Sequence, residues 1–109
     1  MSHKSLHDVC TLTGATRRAV QGSEKAGLVA AVGRTKYGYL LYDDAAVERI
    51  RTIRFLQRTG LSIREICAVI DAPAECQRKA LRQQAERLQV QYREISALLE
   101  MIEEYLSRL

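Results

Sequence analysis

The sequence of 109 residues lacks several features that would assign it to a protein class. It has no tryptophan, one proline and three cysteines, and no apolar run reaches the about eighteen residues of a membrane-spanning helix. An odd number of cysteines, without an apolar N-terminal segment, argues against a disulfide framework and for a reducing compartment. We therefore expect a soluble, cytoplasmic protein that has no membrane partner.

A catalytic pattern is also missing. No candidate nucleophile has a base at a plausible spacing, and there is no glycine-rich phosphate loop, so we do not expect an enzyme. The spacing of His3, His7 and Cys10 is compatible with a metal ion, but Cys10 fits better as a small buried residue. We predict no metal site and no cofactor.

The basic residues are unevenly distributed. Lysine and arginine outnumber aspartate and glutamate by 17 to 13, while 47% of the residues are hydrophobic, enough for one modest core. Residues 1–70 contain eleven bases and six acids, whereas residues 71–109 contain six bases and seven acids. The positive charge therefore belongs to the first two thirds of the chain, which favours a polyanionic partner for that part.

Two short helices are predicted near the N-terminus. The spacing of Ser5 and Asp8 is that of a capping box, and the first helix should end at Gly14. Thr16 can cap a second helix that runs to about Lys25. A helix, a short turn with glycine and another helix are typical of a helix-turn-helix. Its second helix directs three polar side chains outward: Arg17, Arg18 and Gln21.

A small β-hairpin, or wing, should follow. The β-favouring segments 28–29 and 39–42 flank residues 33–38, which are rich in glycine and bases. The predicted fold is therefore mainly α: a winged helix-turn-helix with a small β-hairpin wing, followed by a long C-terminal coiled-coil helix.

Two more helices should complete the first domain, residues 1–70. The third begins at Asp43 or Asp44 and ends at Gly60, and the fourth begins with the capping box of Ser62 and Glu65. The inward residues of these helices recur at helical spacing: Val47, Ile50, Ile53, Leu56, Ile63, Ile66, Cys67 and Ile70. We assign Tyr42 and Phe55 to packing.

The second domain, residues 74–109, is predicted to be one uninterrupted helix after Pro73. Leucine or isoleucine recurs at every seventh position from Leu81 to Leu109, which is typical of a coiled coil. Such a helix is roughly 54 Å long, so its apolar stripe needs a partner, most simply a second copy. The alternative is a stripe that folds back on its own domain. The predicted dimerisation residues are Leu81, Leu88, Ile95, Leu98, Leu99, Ile102 and Leu106.

Three segments together resemble the MerR family of bacterial transcriptional regulators: residues 5–28, residues 38–50 and residues 60–66. The resemblance covers essentially the whole chain, without a C-terminal effector domain. It implies a winged-helix DNA-binding domain and an antiparallel coiled-coil homodimer that binds and distorts a palindromic promoter operator. The implied partners are double-stranded promoter DNA and a second copy; RNA polymerase is a further candidate, and the effector is unknown.

The resemblance also implies which residues contact DNA. Arg18 matches the arginine of the family's recognition helix, and Arg34 and Tyr39 match positions of its wing. Lys36 adds a basic side chain that can contact a phosphate. The predicted DNA-binding residues are Thr16, Arg17, Arg18, Gln21, Arg34, Lys36 and Tyr39.

Three residues depart from the family pattern. Gly22 and Ser23 stand where the family has aromatic side chains before Glu24, and Leu40 replaces a cation of the wing. Glycine within a helix also costs about 1 kcal/mol relative to alanine. An alternative function is therefore a degenerate module that has lost DNA binding and binds a protein or a small ligand instead.

Overall fold

The computed structural model describes residues 3–109, which divide into two compact units, one that extends to Asp71 and one that comprises Ala72–Leu109. The first unit contains β1 (Lys4–Ser5), α1 (Leu6–Thr13), α2 (Arg17–Lys25), β2 (Gly33–Arg34), β3 (Leu40–Tyr42), α3 (Asp44–Arg58) and α4 (Ile63–Val69). The second contains α5 (Ala74–Ser107). The predicted fold class, a mainly helical winged helix-turn-helix followed by a long helix, is confirmed.

The helix-turn-helix forms because both of its helices are capped locally. The Ser5 hydroxyl accepts a hydrogen bond from the Asp8 amide at 3.1 Å, and the Asp8 carboxylate accepts one from the Ser5 amide at 3.2 Å. These bonds hold the pKa of Asp8 below its usual value. Gly14, with φ of +73°, ends α1, and the Thr16 hydroxyl caps α2 by accepting from the Ala19 amide at 3.1 Å.

The sheet has three short antiparallel strands in the order β1, β3, β2. Lys4 pairs with Tyr42, and Arg34 pairs with Leu40. The sequence did not predict β1, and the segment predicted as the first wing strand, residues 28–29, is buried without being a strand. The wing is therefore built from β2 and β3, and β1 joins its base to the start of α1.

Two hydrophobic clusters hold the first unit together. The first packs α1, α2, β3 and the start of α3 around these residues: Val9, Ala15, Val20, Val29, Tyr42, Ala46, Val47 and Ile50. The second joins the end of α3 to α4 and contains Leu28, Ile53, Leu56, Leu61 and Ile66. The predicted inward positions of α3 are buried, but Cys67 is exposed and Phe55 is 58% exposed, so the assignment of these two residues to packing is wrong.

The second unit is one helix of 34 residues, roughly 51 Å long at 1.5 Å per residue. No side chain caps its first turn, which follows Pro73. The seven predicted dimerisation residues are each between 37% and 59% exposed in the single chain. Within residues 3–109, no helix combines the length and apolar character that crossing a membrane requires.

Candidate nucleic-acid interface

Four of the predicted DNA-binding residues lie at the N-terminus and on the exposed side of α2. Val20 and Ser23 are buried, and the Ser23 hydroxyl donates to the Ala19 carbonyl oxygen at 3.0 Å, which fixes the inner face of the helix. At 3.6 residues per turn, the opposite face then points to solvent. The exposed residues there are Arg18, Gln21, Gly22 and Lys25, while the exposed Arg17 lies at the side of the first turn and the exposed Thr16 is the N-cap before it.

The wing is shaped by hydrogen bonds within its turn. The Thr35 amide donates to the Tyr39 carbonyl oxygen at 2.8 Å, and the Gly38 amide donates to the Thr35 carbonyl oxygen at 2.9 Å. Gly38 has φ of +86°, a conformation that favours glycine. Nη1 of Arg34 donates to the Gly38 carbonyl oxygen at 2.8 Å. The guanidinium of Arg34 is therefore held across the turn.

The tip of the wing presents a basic and aromatic pair. The ammonium of Lys36 lies 5.1 Å from the centroid of the Tyr37 ring, within the range of a cation–π interaction. Tyr37 is 75% exposed. Sequence reasoning did not select Tyr37, although its position next to Lys36 in a turn was a usable signal.

Three predicted residues from separate elements line one cleft. Arg17 at the start of α2, Arg34 in β2 and Tyr39 before β3 surround a cleft of about 450 Å³. The other lining residues come from the start of α1 and from the wing: Ser5, Leu6, His7, Gly38 and Leu40. We call this the wing cleft. His7, considered from the sequence only as a metal ligand, thus lies beside the predicted DNA contacts.

Arg18 and Gln21 lie elsewhere, along a hollow on the outer face of α2. Gly22, Glu24 and Lys25 complete this hollow. Apart from its chain neighbours and the backbone of its own helix, a Cβ atom built on Gly22 would meet no described atom within 4 Å, so the hollow is open above this residue. Lys25 is a further cation that the sequence prediction missed.

The wing cleft and the hollow on α2 each carry more cationic than anionic side chains. None of the described residues that line the wing cleft is an acid, and Asp8, next to His7, is engaged with Ser5. In the hollow on α2, the carboxylate of Glu24 accepts a hydrogen bond from the buried Tyr42 hydroxyl. The pKa of Tyr42 is raised above its ordinary value, mainly by burial and to a smaller extent by this hydrogen bond.

The predicted cations are available to an anion. Ion pairs join Arg49 with Asp71, Arg51 with Glu48 and Arg78 with Glu75. None of these pairs involves the four predicted cations, Arg17, Arg18, Arg34 and Lys36, whose charges remain free to interact with phosphates.

A second basic surface lies on α3, where the sequence predicted packing only. Arg51, Arg54 and Arg58 line a hollow of about 430 Å³ together with the exposed Phe55. A Cβ atom on Gly14 would lie 3.4 Å from the guanidinium of Arg54, so this side chain rests beside the turn between α1 and α2. The signal available in the sequence was the spacing of three arginines along one side of α3.

His3, His7 and Cys10 do not form a metal site. Across residues 3–109, the structure contains no group of three or more histidine, cysteine, aspartate or glutamate side chains that could hold a metal ion.

Comparison with known proteins identifies relatives. Residues 4–72 match the family model described as MerR HTH family regulatory protein. Nodulation protein NolA from Bradyrhizobium is 35% identical over 79 residues, which cover 72% of this chain and 33% of NolA. The chain spans between 33% and 40% of the length of the curated relatives it matches.

Solved structures show the same fold. The N-terminal part of Mta, the multidrug transporter activator of Bacillus subtilis, is 26% identical with a TM-score of 0.75, over 94% of this chain and 97% of that one. HiNmlR, a MerR family regulator that lacks the sensor domain and is bound to promoter DNA, is 22% identical with a TM-score of 0.68. That match covers 97% of this chain and 89% of HiNmlR.

Proposed function

The chain belongs to the MerR family of helix-turn-helix transcription regulators, and we propose that it binds a palindromic promoter operator as a homodimer and distorts it. The observation that carries this proposal is the convergence of Arg17, Arg34 and Tyr39 at the wing cleft, next to the exposed face of α2. A helix and a wing with basic side chains on adjoining surfaces fit a DNA groove and its flanking phosphates.

The residues of α2 divide into two roles in this proposal. Arg18 and Gln21, on the outer face, read base edges: the guanidinium of arginine fits O6 and N7 of guanine, and the amide of glutamine fits N6 and N7 of adenine. Arg17, at the start of the helix, contacts a phosphate. Thr16 caps the helix and so sets the angle at which its first turn meets the groove.

The wing supplies phosphate contacts in the proposal. Arg34, Lys36 and the hydroxyl of Tyr39 are exposed and can donate to phosphate oxygens. Since Arg34 is already bonded to Gly38, its guanidinium loses little conformational freedom when it meets DNA.

The exposed stripe of α5 supports a homodimer. Leu88, Ile95 and Ile102 lie seven residues apart, and each is between 41% and 58% exposed in the single chain. Burying such a stripe against a second copy removes apolar surface from water, at about 25 cal/mol per Å². A second copy is therefore the occupant that a heptad-spaced stripe favours.

The charges of α5 favour an antiparallel arrangement of the two copies. Residues 74–93 contain five bases and two acids, whereas residues 94–109 contain four acids and one base. Antiparallel helices bring the basic half of one copy opposite the acidic half of the other, while parallel helices bring like charges together. The two-fold axis of such a dimer matches the symmetry of a palindromic operator.

DNA distortion follows from rigidity in this proposal. Two reading units that are held at a fixed separation by paired helices meet both half-sites only if the intervening DNA adapts. That deformation costs of order 1–6 kcal/mol, which additional contacts repay. RNA polymerase stays a candidate partner that acts on the distorted promoter.

The function is tested by selecting fragments of the host genome that the full chain retains at low salt. We expect enrichment of fragments that contain an inverted repeat, and loss of the enrichment with Arg18→Ala. Arg93→Ala on α5 is the matched control and retains it. Retention of no fragment, or equal enrichment by the two variants, contradicts the proposal.

Three departures from the family pattern, at Gly22, Ser23 and Leu40, favour the alternative of a degenerate module that has lost DNA binding. One of the three does not support it. Ser23 is 3% exposed and bonded within α2, so it opens no surface. Gly22 leaves an open hollow between cations, which accommodates DNA as readily as a protein. Leu40, which replaces a cation of the wing, is the departure from the family pattern that favours binding of a small ligand as a function in addition to DNA binding.

A further inference from the structure

The wing cleft has an apolar floor. Leu6 and Leu40 both line the cleft and pack, half-buried, against the first hydrophobic cluster, which holds them in position. Tyr39 adds the face of an aromatic ring and is 70% exposed. A site for a phosphate alone requires only hydrogen-bond donors, so this floor calls for a ligand with an apolar body.

The rim of the wing cleft is cationic. Arg34 is oriented by its bond to the Gly38 carbonyl oxygen, which leaves other N–H groups of its guanidinium to bind an anion. Arg17 lies on the same cleft and takes part in no ion pair among the described residues. His7 also lines the cleft, and within residues 3–109 no acid does. An anionic group is therefore the complement of this rim.

The size of the cleft is that of a small-molecule site. Its volume of about 450 Å³ lies within the roughly 300–1,000 Å³ that is usual for ligand pockets. We infer that the wing cleft binds a small carboxylate with an aromatic or branched apolar body. The carboxylate contacts Arg17 and Arg34, and the body rests on Leu6 and Leu40.

Such a ligand regulates DNA binding. This step rests on the proposed function, which assigns Arg17 and Arg34 to DNA phosphates. Because one guanidinium pair cannot hold both anions, the carboxylate and DNA exclude each other. The polar and strongly charged surface of DNA also leaves the floor at Leu6 and Leu40 unused, whereas the ligand covers it.

Direct binding is tested with 1-naphthoate as the probe and the ¹⁵N-labelled full chain. Acetate and inorganic phosphate carry charge without the apolar body, and 1-naphthalenemethanol carries the body without charge. We expect naphthoate to shift the amide resonances of Leu6, Gly38 and Leu40, with a dissociation constant at least tenfold below those of the other three compounds. Equal binding of phosphate or acetate, or shifts confined to α5, overturns the inference.

Two variants and two matched controls locate the site. Arg17→Gln, on the surface, and Leu40→Gln, on the floor, should each weaken naphthoate binding at least fivefold. Arg93→Gln and Leu12→Gln change the same residue types outside the cleft and should leave it unchanged. The spectra show whether each variant is folded. If Leu40→Gln does not fold, Arg17→Gln, at an exposed position, still tests the site. Unchanged binding by Arg17→Gln overturns the inference.

Competition separates this inference from the proposed function. With an operator fragment, naphthoate should raise the apparent dissociation constant for DNA at least fivefold, and acetate at equal concentration should not. If naphthoate binds but no DNA fragment does, the proposed function fails and the ligand site stands. If DNA binds and naphthoate neither binds nor competes, the ligand site fails and the proposed function stands.

Discussion

The hydroxyl of Tyr42 in β3 donates a hydrogen bond to the carboxylate of Glu24 in α2. Tyr42 is completely buried, so this bond joins the base of the wing to the last turn of the proposed recognition helix from within the first hydrophobic cluster. The helix and the wing are thereby kept in one relative orientation. In the proposed complex both contact the same stretch of DNA, and the bond supports that arrangement.

We predict that Tyr42→Phe lowers the free energy of unfolding by about 1.5 kcal/mol, because a hydrogen bond to a charged group is lost while the ring still packs. DNA affinity should fall as well, since α2 is held less firmly to the sheet. Chemical denaturation and DNA titration measure the two effects. A variant as stable as the parent contradicts the structural role given to this bond.

The same tyrosine predicts how stability responds to alkali. Its pKa is raised above the ordinary value of 10.0 by burial and by Glu24, so the protonated hydroxyl favours the folded state. This contribution is fully present below about pH 10 and is lost as the pH rises further, because the unfolded chain then releases the proton first. Tyr42→Phe should show a smaller fall in thermal stability between about pH 9 and about pH 11 than the parent chain.

The ion pair of Arg49 and Asp71 predicts the response to acid. Hydrogen bonds from Arg49 at 2.8 Å hold the pKa of Asp71 below its ordinary value of 3.8. Its contribution to stability is present above that value and is lost as the pH falls through the lowered pKa. Asp71→Asn should therefore lose less thermal stability between about pH 6 and about pH 3. Asp8, whose pKa is also lowered, should remain responsible for part of the loss.

Arg49 should matter more than its partner. Its Nε also donates to the carbonyl oxygen of Leu28, which lies in the segment between α2 and the wing. Arg49→Ala removes this bond in addition to the ion pair, so we expect it to cost about 1 kcal/mol more than Asp71→Asn in chemical denaturation. Equal effects of the two substitutions exclude a role for the bond to Leu28.

The phosphate contacts proposed for the wing predict a salt effect. Arg34→Gln should weaken binding to all DNA sequences by similar factors and reduce the slope of log K against log salt by about one. Binding isotherms at several salt concentrations measure this slope. Arg93→Gln serves as control and should leave it unchanged; a slope unaltered by Arg34→Gln removes the wing from the proposed interface.

The stripe of α5 predicts the oligomeric state. Ile95→Asn puts a polar group at the centre of the proposed seam and should raise the dimer dissociation constant at least tenfold. Val90→Asn changes an exposed apolar residue off the heptad row, and we expect no comparable effect. Sedimentation equilibrium compares the two variants. A parent chain that is monomeric at tens of micromolar contradicts the dimer.

Local signals predicted most of the helices. The capping-box spacing predicts Ser5 and Ser62 as caps, the position of Thr16 before the second helix predicts it as another, and each caps its helix by a side-chain hydrogen bond. Capping depends on residues within one turn, so the sequence contains the whole interaction. The buried stripe of α3 followed from helical periodicity for the same reason.

Features that depend on tertiary contacts were not predictable in this way. Strand β1 has two residues and exists because it pairs with β3, which lies far along the chain. That pairing brings Leu6 and His7 to the wing and so creates the wing cleft. Phe55 and Cys67 fit an apolar helical pattern, yet no neighbouring element covers either one in the first unit.

Hydroxyl-radical footprinting of an operator fragment by the full chain tests the central claim most directly. The account predicts two protected patches, related by the dyad of an inverted repeat, that both disappear with Arg18→Ala and persist with Arg93→Ala. A single protected patch without symmetry, or no protection at low salt, contradicts it.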